Sequence, residues 1–189
     1  MDSETRPPAL GPEERRILLD LARQTIDARL GGRPLPQPRT DSPTLNEVRG
    51  AFVTLKIDER LRGCIGHVIG VVELWCAVRD NAVAAAFEDP RFQPLTPEEL
   101  ERVRIEISAL TPLRISQPEG VVVGRDGILI EHGAARGLLL PQVAVEYGWD
   151  RQTFLDQTCR KAGLEAGCWS HPDTIISTFS AEVFGEDET

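Results

Sequence analysis

The chain has no apolar run near the roughly 20 residues that cross a bilayer, so it offers no candidate membrane-spanning helix. Its start, Met1-Asp2-Ser3-Glu4, has neither a basic nor an apolar stretch, so no signal peptide is expected there and the chain reads as cytoplasmic. Positive charge is also in deficit: 21 Lys and Arg stand against 30 Asp and Glu, a net charge of −9. A field of that sign repels a phosphate backbone, so nucleic acid is not an expected partner. The four cysteines, Cys64, Cys76, Cys159 and Cys168, show no CxxC pairing. A structural zinc site needs closely paired Cys and His ligands, so no metal is expected and all four read as free thiols. His132 and His171 have no partner at useful spacing, and Cys64 and His67 face opposite ways on an unbroken strand. There is no internal repeat, and Gly124-Arg125-Asp126-Gly127 reads as a hairpin turn rather than a phosphate loop. No cofactor is indicated.

What is present concentrates in Leu61-Arg62-Gly63-Cys64-Ile65-Gly66, a thiol between two glycines with an arginine two positions ahead. Glycine weakens a strand interior, so such a pair points to close backbone approach, a bulge or a ligand. The segment belongs to a hairpin of strands 48–57 and 60–68. Ala51, Val53, Leu55 and Ile57 share one face of the first strand, and Phe52, Thr54 and Lys56 the other. A three-residue loop, Asp58-Glu59-Arg60, keeps faces matched by pairing Ile57 with Leu61, Leu55 with Gly63 and Val53 with Ile65. Cys64 then lies opposite Thr54, beside Arg62 and away from the apolar face.

Before the hairpin, Pro12, Glu13 and Glu14 open a helix over 12–30 whose apolar residues recur at helical spacing and which Gly31-Gly32 stops. The proline-rich segment 31–46 is the candidate lobe boundary. After the hairpin, a helix is expected over 72–87, a turn at Asp89-Pro90-Arg91-Phe92, a short capped helix at 97–100 and a strand at 103–109. A second hairpin pairs Val121-Val122-Val123 with Ile128-Leu129-Ile130. A buried strand at 137–140, helices at 141–147 and 151–162, and one closing strand over 175–184 complete the chain. Strands that come in hairpins give an α+β class with a largely antiparallel sheet flanked by helices.

Several segments match a known family in order. They are Gly50-Ala51-Phe52-Val53-Thr54-Leu55, the cysteine motif, Ala84-Ala85-Ala86-Phe87-Glu88-Asp89-Pro90-Arg91-Phe92, Glu106-Ile107-Ser108, Gly124-Arg125-Asp126-Gly127, Gly137-Leu138-Leu139-Leu140-Pro141-Gln142-Val143-Ala144 and Tyr147-Gly148-Trp149. On them the chain resembles the AMMECR domain family, called AmmeMemoRadiSam system protein A in prokaryotes, from about residue 13 to 184. The resemblance implies a larger and a smaller lobe with a cleft between them. It also implies gene neighbourhood with Memo-like and radical-SAM proteins, hence a shared modification pathway and a partner protein of that kind. Asp58-Glu59 stands where the family often has a glycine, and His67 is not a family hallmark. The expected organisation is a disordered tail at 1–11, one domain of two lobes at 12–185 and an acidic tail at 186–189.

Cys64 reads either as a nucleophile, redox thiol or ligand, favoured as thiolate by Arg62, or as a small buried apolar residue. Arg62 is a candidate clamp for a carboxylate or phosphate, against an ordinary ion pair. Glu106, on the polar face of its strand with Ser108, is the candidate general base if it reaches Arg62, against a plain salt bridge. Thr54, Gly63, Gly66, Arg91 and Gln142 complete the candidate binding set, Gln142 because it follows Pro141 at a helix start. Tyr147 and Trp149 read as core anchors. Two functions follow: a cleft enzyme taking a small anionic or nucleotide-like substrate at Cys64, or a non-catalytic module docking a Memo-like or radical-SAM protein.

Overall fold

The structure, a computed structural model, describes residues 9–38 and 40–186. Most of the expected N-terminal tail and the last three residues of the acidic tail lie outside the described residues. In chain order the elements are α1 (Pro12–Leu30), β1 (Ala51–Ile57), β2 (Arg60–His67), α2 (Leu74–Phe87), α3 (Pro97–Leu100) and β3 (Arg104–Leu110). There follow β4 (Arg114–Ile115), β5 (Gly127–His132), β6 (Ala135–Leu139), α4 (Pro141–Glu146), α5 (Arg151–Lys161), β7 (Ile175–Phe179) and β8 (Ala181–Gly185). They form two compact units, one running to Pro112 and resuming at Glu182, the other spanning Leu113–Ala181. No described helix is long and apolar enough to cross a membrane.

The first unit is a four-stranded sheet in the order β2-β1-β3-β8, with β1 antiparallel to both neighbours. Ala51, Val53 and Leu55 on β1 and Ile105 and Ile107 on β3 are buried on one face, with Leu18, Ala22 and Ile26 of α1 and Val78, Ala82 and Ala85 of α2 in the same cluster. Strand alternation therefore puts Thr54, Cys64 and Glu106 on the face opposite the helices. α1 starts as expected: Pro12 is its first residue and the Glu14 carboxylate accepts the Gly11 N–H at 2.9 Å.

The hairpin register agrees with expectation from Val53↔Ile65 through Leu55↔Gly63 and then departs from it. The loop holds two residues, not three: Asp58 and Glu59 both have positive φ, 50° and 60°, the geometry of a type I′ turn whose twist suits the strands. Lys56 therefore pairs with Leu61 and Ile57 with Arg60, which leaves Arg62 as the extra residue of a bulge.

One buried charge ties this unit together. Arg49 is only 1% exposed; its Nε donates to the Leu110 carbonyl at 2.7 Å and its Nη2 to Glu182 Oε1 at 3.4 Å. Glu182 Oε2 also accepts the Leu10 N–H at 3.0 Å and an Arg15 nitrogen at 3.4 Å. The end of β3, the start of β8 and the entry to α1 thus meet on one ion-pair network. The network is not complete: Arg49 Nη1 is buried 4.0 Å from Glu47 Oε2 with no hydrogen-bond partner.

The second unit is a four-stranded antiparallel sheet, β4-β7-β5-β6, over a core of Ile128, Ile130, Phe154, Leu155 and Ile176. Four expectations change here. The partner of β5 is β6, not Val121–Val123, because Asp126 folds back to accept the Val122 N–H at 2.8 Å and the tight turn falls after His132. The single closing strand is two: it breaks at Ser180, so β7 joins this sheet and β8 the first. Cys159 and Cys168 are not free thiols but a disulfide. After α5 the chain doubles back through Gly163 and Gly167, both at positive φ, which brings the two Cα atoms to 5.9 Å. Tyr147 is not a core anchor: it is 68% exposed and stacks on the half-buried Trp149 at 4.9 Å.

Candidate functional site

β2 is the outer strand of its sheet, so the outward backbone groups of Cys64 have no strand to meet. They meet side chains instead. The Cys64 N–H donates to Asp89 Oδ2 at 2.9 Å, and the Cys64 carbonyl accepts from Arg91 Nη2 at 3.2 Å. Asp89 and Arg91 are themselves joined by bonds of 2.9 Å and 2.7 Å, and Asp89 Oδ1 also accepts the Arg91 N–H at 3.1 Å. The turn after α2 thus clips both polar atoms of one peptide position, as a neighbouring strand would. The Asp89 side chain is 2% exposed, and the Arg91 bonds with the Cys64 and Arg91 N–H groups hold its carboxyl well below the usual carboxylate range against the opposing effect of burial.

The thiol sits in a row across three strands. Cys64 pairs with Thr54, and Thr54 with Glu106. The Thr54 hydroxyl donates to Cys64 Sγ at 3.3 Å. Among the described residues Cys64 and Cys76 are the free cysteines, and Cys64 is half-buried. The surroundings of Cys76 differ: burial first, then Asp80, push its thiol up, and Arg79 Nη2 donates to its sulfur at 3.2 Å.

Glu106 does not reach Arg62. It pairs with Lys56 on the adjacent strand at 2.8 Å, which raises the Lys56 pKa. Arg62, displaced by the bulge, forms a two-pronged pair with Glu99 of α3 at 2.9 Å and 2.9 Å, and Nη2 also donates to the Gln93 carbonyl. The same bonds lower the Glu99 pKa. The Nε and Nη2 of Arg62 are thus taken up by the protein while its buried Nη1 has no hydrogen-bond partner, and the salt-bridge readings of Glu106 and Arg62 describe the geometry.

The glycines serve close approach. A Cβ on Gly63 would fall 2.1 Å from the Ala85 carbonyl oxygen, so the glycine lets α2 lie against the strand. A Cβ on Gly66 would fall 2.5 Å from Phe52 Cδ1 and 2.3 Å from the Ala51 oxygen, so the Phe52 ring covers the position the glycine leaves. Ser108 pairs with Phe52, at the end of β3 away from the hairpin turn. At the other end, a pocket of about 120 Å³ is lined by Lys56, Glu59, Arg104, Glu106 and Glu186.

Thr54, Cys64, Arg91 and Glu106 therefore converge on one unit, whereas Gln142 is an exposed residue of the other, in the six-residue α4. Asp89, Lys56 and Glu99 complete the site's charges and are not singled out by residue type. The Asp-Pro-Arg sequence held the signal for Asp89, since an aspartate ahead of proline accepts the N–H two residues on. No group of three or more His, Cys, Asp or Glu placed to hold a metal occurs among the described residues.

The fold and site define an α+β protein of two antiparallel sheets, carrying a half-buried cysteine clipped by side chains at the edge of one of them. The chain belongs to the AMMECR1 family, which it matches over residues 19–184. It is 46% identical over 183 residues to Protein TK0174 of Thermococcus kodakarensis, covering 90% of this chain and 89% of that one. It is 44% identical over 186 residues to a protein of Methanothermobacter thermautotrophicus, covering 94% and 97%. Among solved structures, the crystal structure of uncharacterized protein PH0010 from Pyrococcus horikoshii superposes with a TM-score of 0.72 at 41% identity, over 90% of both chains.

Proposed function

We propose that this chain is an enzyme, or the thiol-bearing subunit of one, in a modification pathway, and that it takes a small anionic or nucleotide-like substrate at Cys64. The observation that carries this reading is the setting of Cys64: a half-buried thiol in no disulfide, which accepts the Thr54 hydroxyl and stands on a peptide clipped by the Asp89–Arg91 ion pair. A neighbouring strand would satisfy the two backbone groups without charge, so an ion pair beside a free thiol is what distinguishes this cysteine from one kept only for packing. Thr54 orients the sulfur. Arg91, with a side chain 52% exposed although its Nε and Nη2 bind Asp89, is the candidate contact for the anion, the role the sequence suggested for Arg62. Glu106 acts on the substrate only if Lys56 releases it.

The rate of Cys64 alkylation by iodoacetamide across pH 6–9 tests this, with Cys76 as internal control. The thiolate is the reacting species, so a primed thiol alkylates faster near neutral pH than a simple thiol does. A Cys64 that reacts no faster than a simple thiol at every pH refutes the reading.

The second reading is a non-catalytic module docking a Memo-like or radical-SAM protein. It draws on the closed ion pairs of Glu106 and Arg62, and on Ile69 and Val71, which follow β2 and are 46% and 81% exposed. An ordinary thiol together with a complex on titration with such a partner favours it.

A further inference from the structure

Resting on the reading of Cys64 as the reacting group, we propose that Asp89 and Arg91 are positioning residues that set the charge at that thiol, each cancelling the other's effect on it. The charges named around the site are joined in pairs. Lys56 is joined to Glu106, Arg62 to Glu99 and Arg91 to Asp89. The last pair differs from the others in touching Cys64 directly, the carboxylate through the N–H and the guanidinium through the carbonyl. A strand neighbour would satisfy the same two backbone groups without bringing any charge. By covalent geometry each charge stands on the order of 6 Å from the sulfur. The pair is a balanced device: removing one member leaves the other's field acting on the thiolate.

The two removals therefore act with opposite sign. Asp89→Asn keeps the shape and one acceptor for the Cys64 N–H but leaves Arg91 uncompensated, which stabilises the thiolate. Arg91→Gln leaves the Asp89 carboxylate uncompensated, which opposes it. For one charge at that distance in a half-exposed setting, the alkylation rate at neutral pH moves about three- to tenfold each way. Arg91→Lys keeps the charge but loses the two-pronged bond to Asp89, so its rate falls between those of the parent and Arg91→Gln.

The experiment measures iodoacetamide alkylation of Cys64 at pH 6–9 in the full chain and the three variants, with Cys76 as internal control and urea unfolding of each. The expected result is a faster Cys64 in Asp89→Asn with its pH profile displaced to acid, a slower one in Arg91→Gln with its profile displaced to alkali, and a smaller slowing in Arg91→Lys than in Arg91→Gln. A clip that only holds the backbone would move both removals the same way, and that outcome overturns the proposal. So does an Arg91→Gln rate equal to that of Arg91→Lys, a comparison that decides the matter even if Asp89→Asn fails to fold. These are ratios between variants. They are independent of the parental rate, whose failure to exceed a simple thiol's would instead sink the reading of Cys64 as a reacting group.

Discussion

Replacing Gly63 by alanine separates a glycine kept for packing from one kept for a ligand. The new Cβ would lie 2.1 Å from the Ala85 oxygen and 3.1 Å from the Ala85 carbonyl carbon. A carbon–oxygen contact is comfortable at roughly 3.3–3.6 Å, so α2 must retreat by about 1 Å. Neither side gives way easily, since Gly63 is in register with Leu55 and Ala85 is 1% exposed within the core. Overpacking of this kind costs about 1–3 kcal/mol. The gain from a stiffer unfolded chain offsets about 0.5–1 kcal/mol of it. A net loss of about 1–2 kcal/mol lowers the melting temperature of a chain this size by about 2–8 °C. Urea unfolding followed by tryptophan fluorescence reads this directly, because Trp75 of α2 packs against the affected core. Gly32→Ala is the control: no atom lies within 4 Å of its Cβ, so its cost comes only from the φ of +63°. A Gly63→Ala protein with the parental urea midpoint would refute the packing account and return Gly63 to the ligand set.

Two further outcomes are expected. The Asp89 carboxyl is held below its ordinary pKa, so its contribution is present above the usual carboxylate range and is lost as pH falls through the lower folded value. The parent therefore loses more stability on acidification below about pH 4 than Asp89→Asn does, and equal slopes in urea midpoint against pH would contradict the clip. Reducing the Cys159–Cys168 bond opens a loop with a sequence separation of 9, worth about 2–3 kcal/mol by chain entropy, so dithiothreitol should lower the unfolding midpoint of the second unit. Asp156 still holds that loop through the Gly167 N–H and the Trp169 indole, so the folded reduced form keeps its Trp169 fluorescence.

Features that depend on near neighbours can be read along the chain. The bounds of α1 and α3 follow from Pro12 and from the Thr96–Glu99 capping box, and both were legible. The pairing of Cys64 with Thr54 followed from alternation, because a slip of one residue would have turned the apolar face of β1 to the wrong side. Tertiary structure decided what depends on distant partners. The two-residue turn and its bulge moved Arg62 out of the cysteine's row, and only the position of α3 shows that Glu99 receives it. Glu106 and Lys56 lie 50 positions apart, and β3 had to be placed beside β1 before their pairing could be read. The Ser180 break divides a run that alternates smoothly, since alternation records a strand's faces and not which sheet it joins. Asp89 is the clearest case. Its type and setting announce a turn, but its hold on Cys64 exists only because β2 is an outer strand whose unpaired peptide groups needed a partner from elsewhere in the chain.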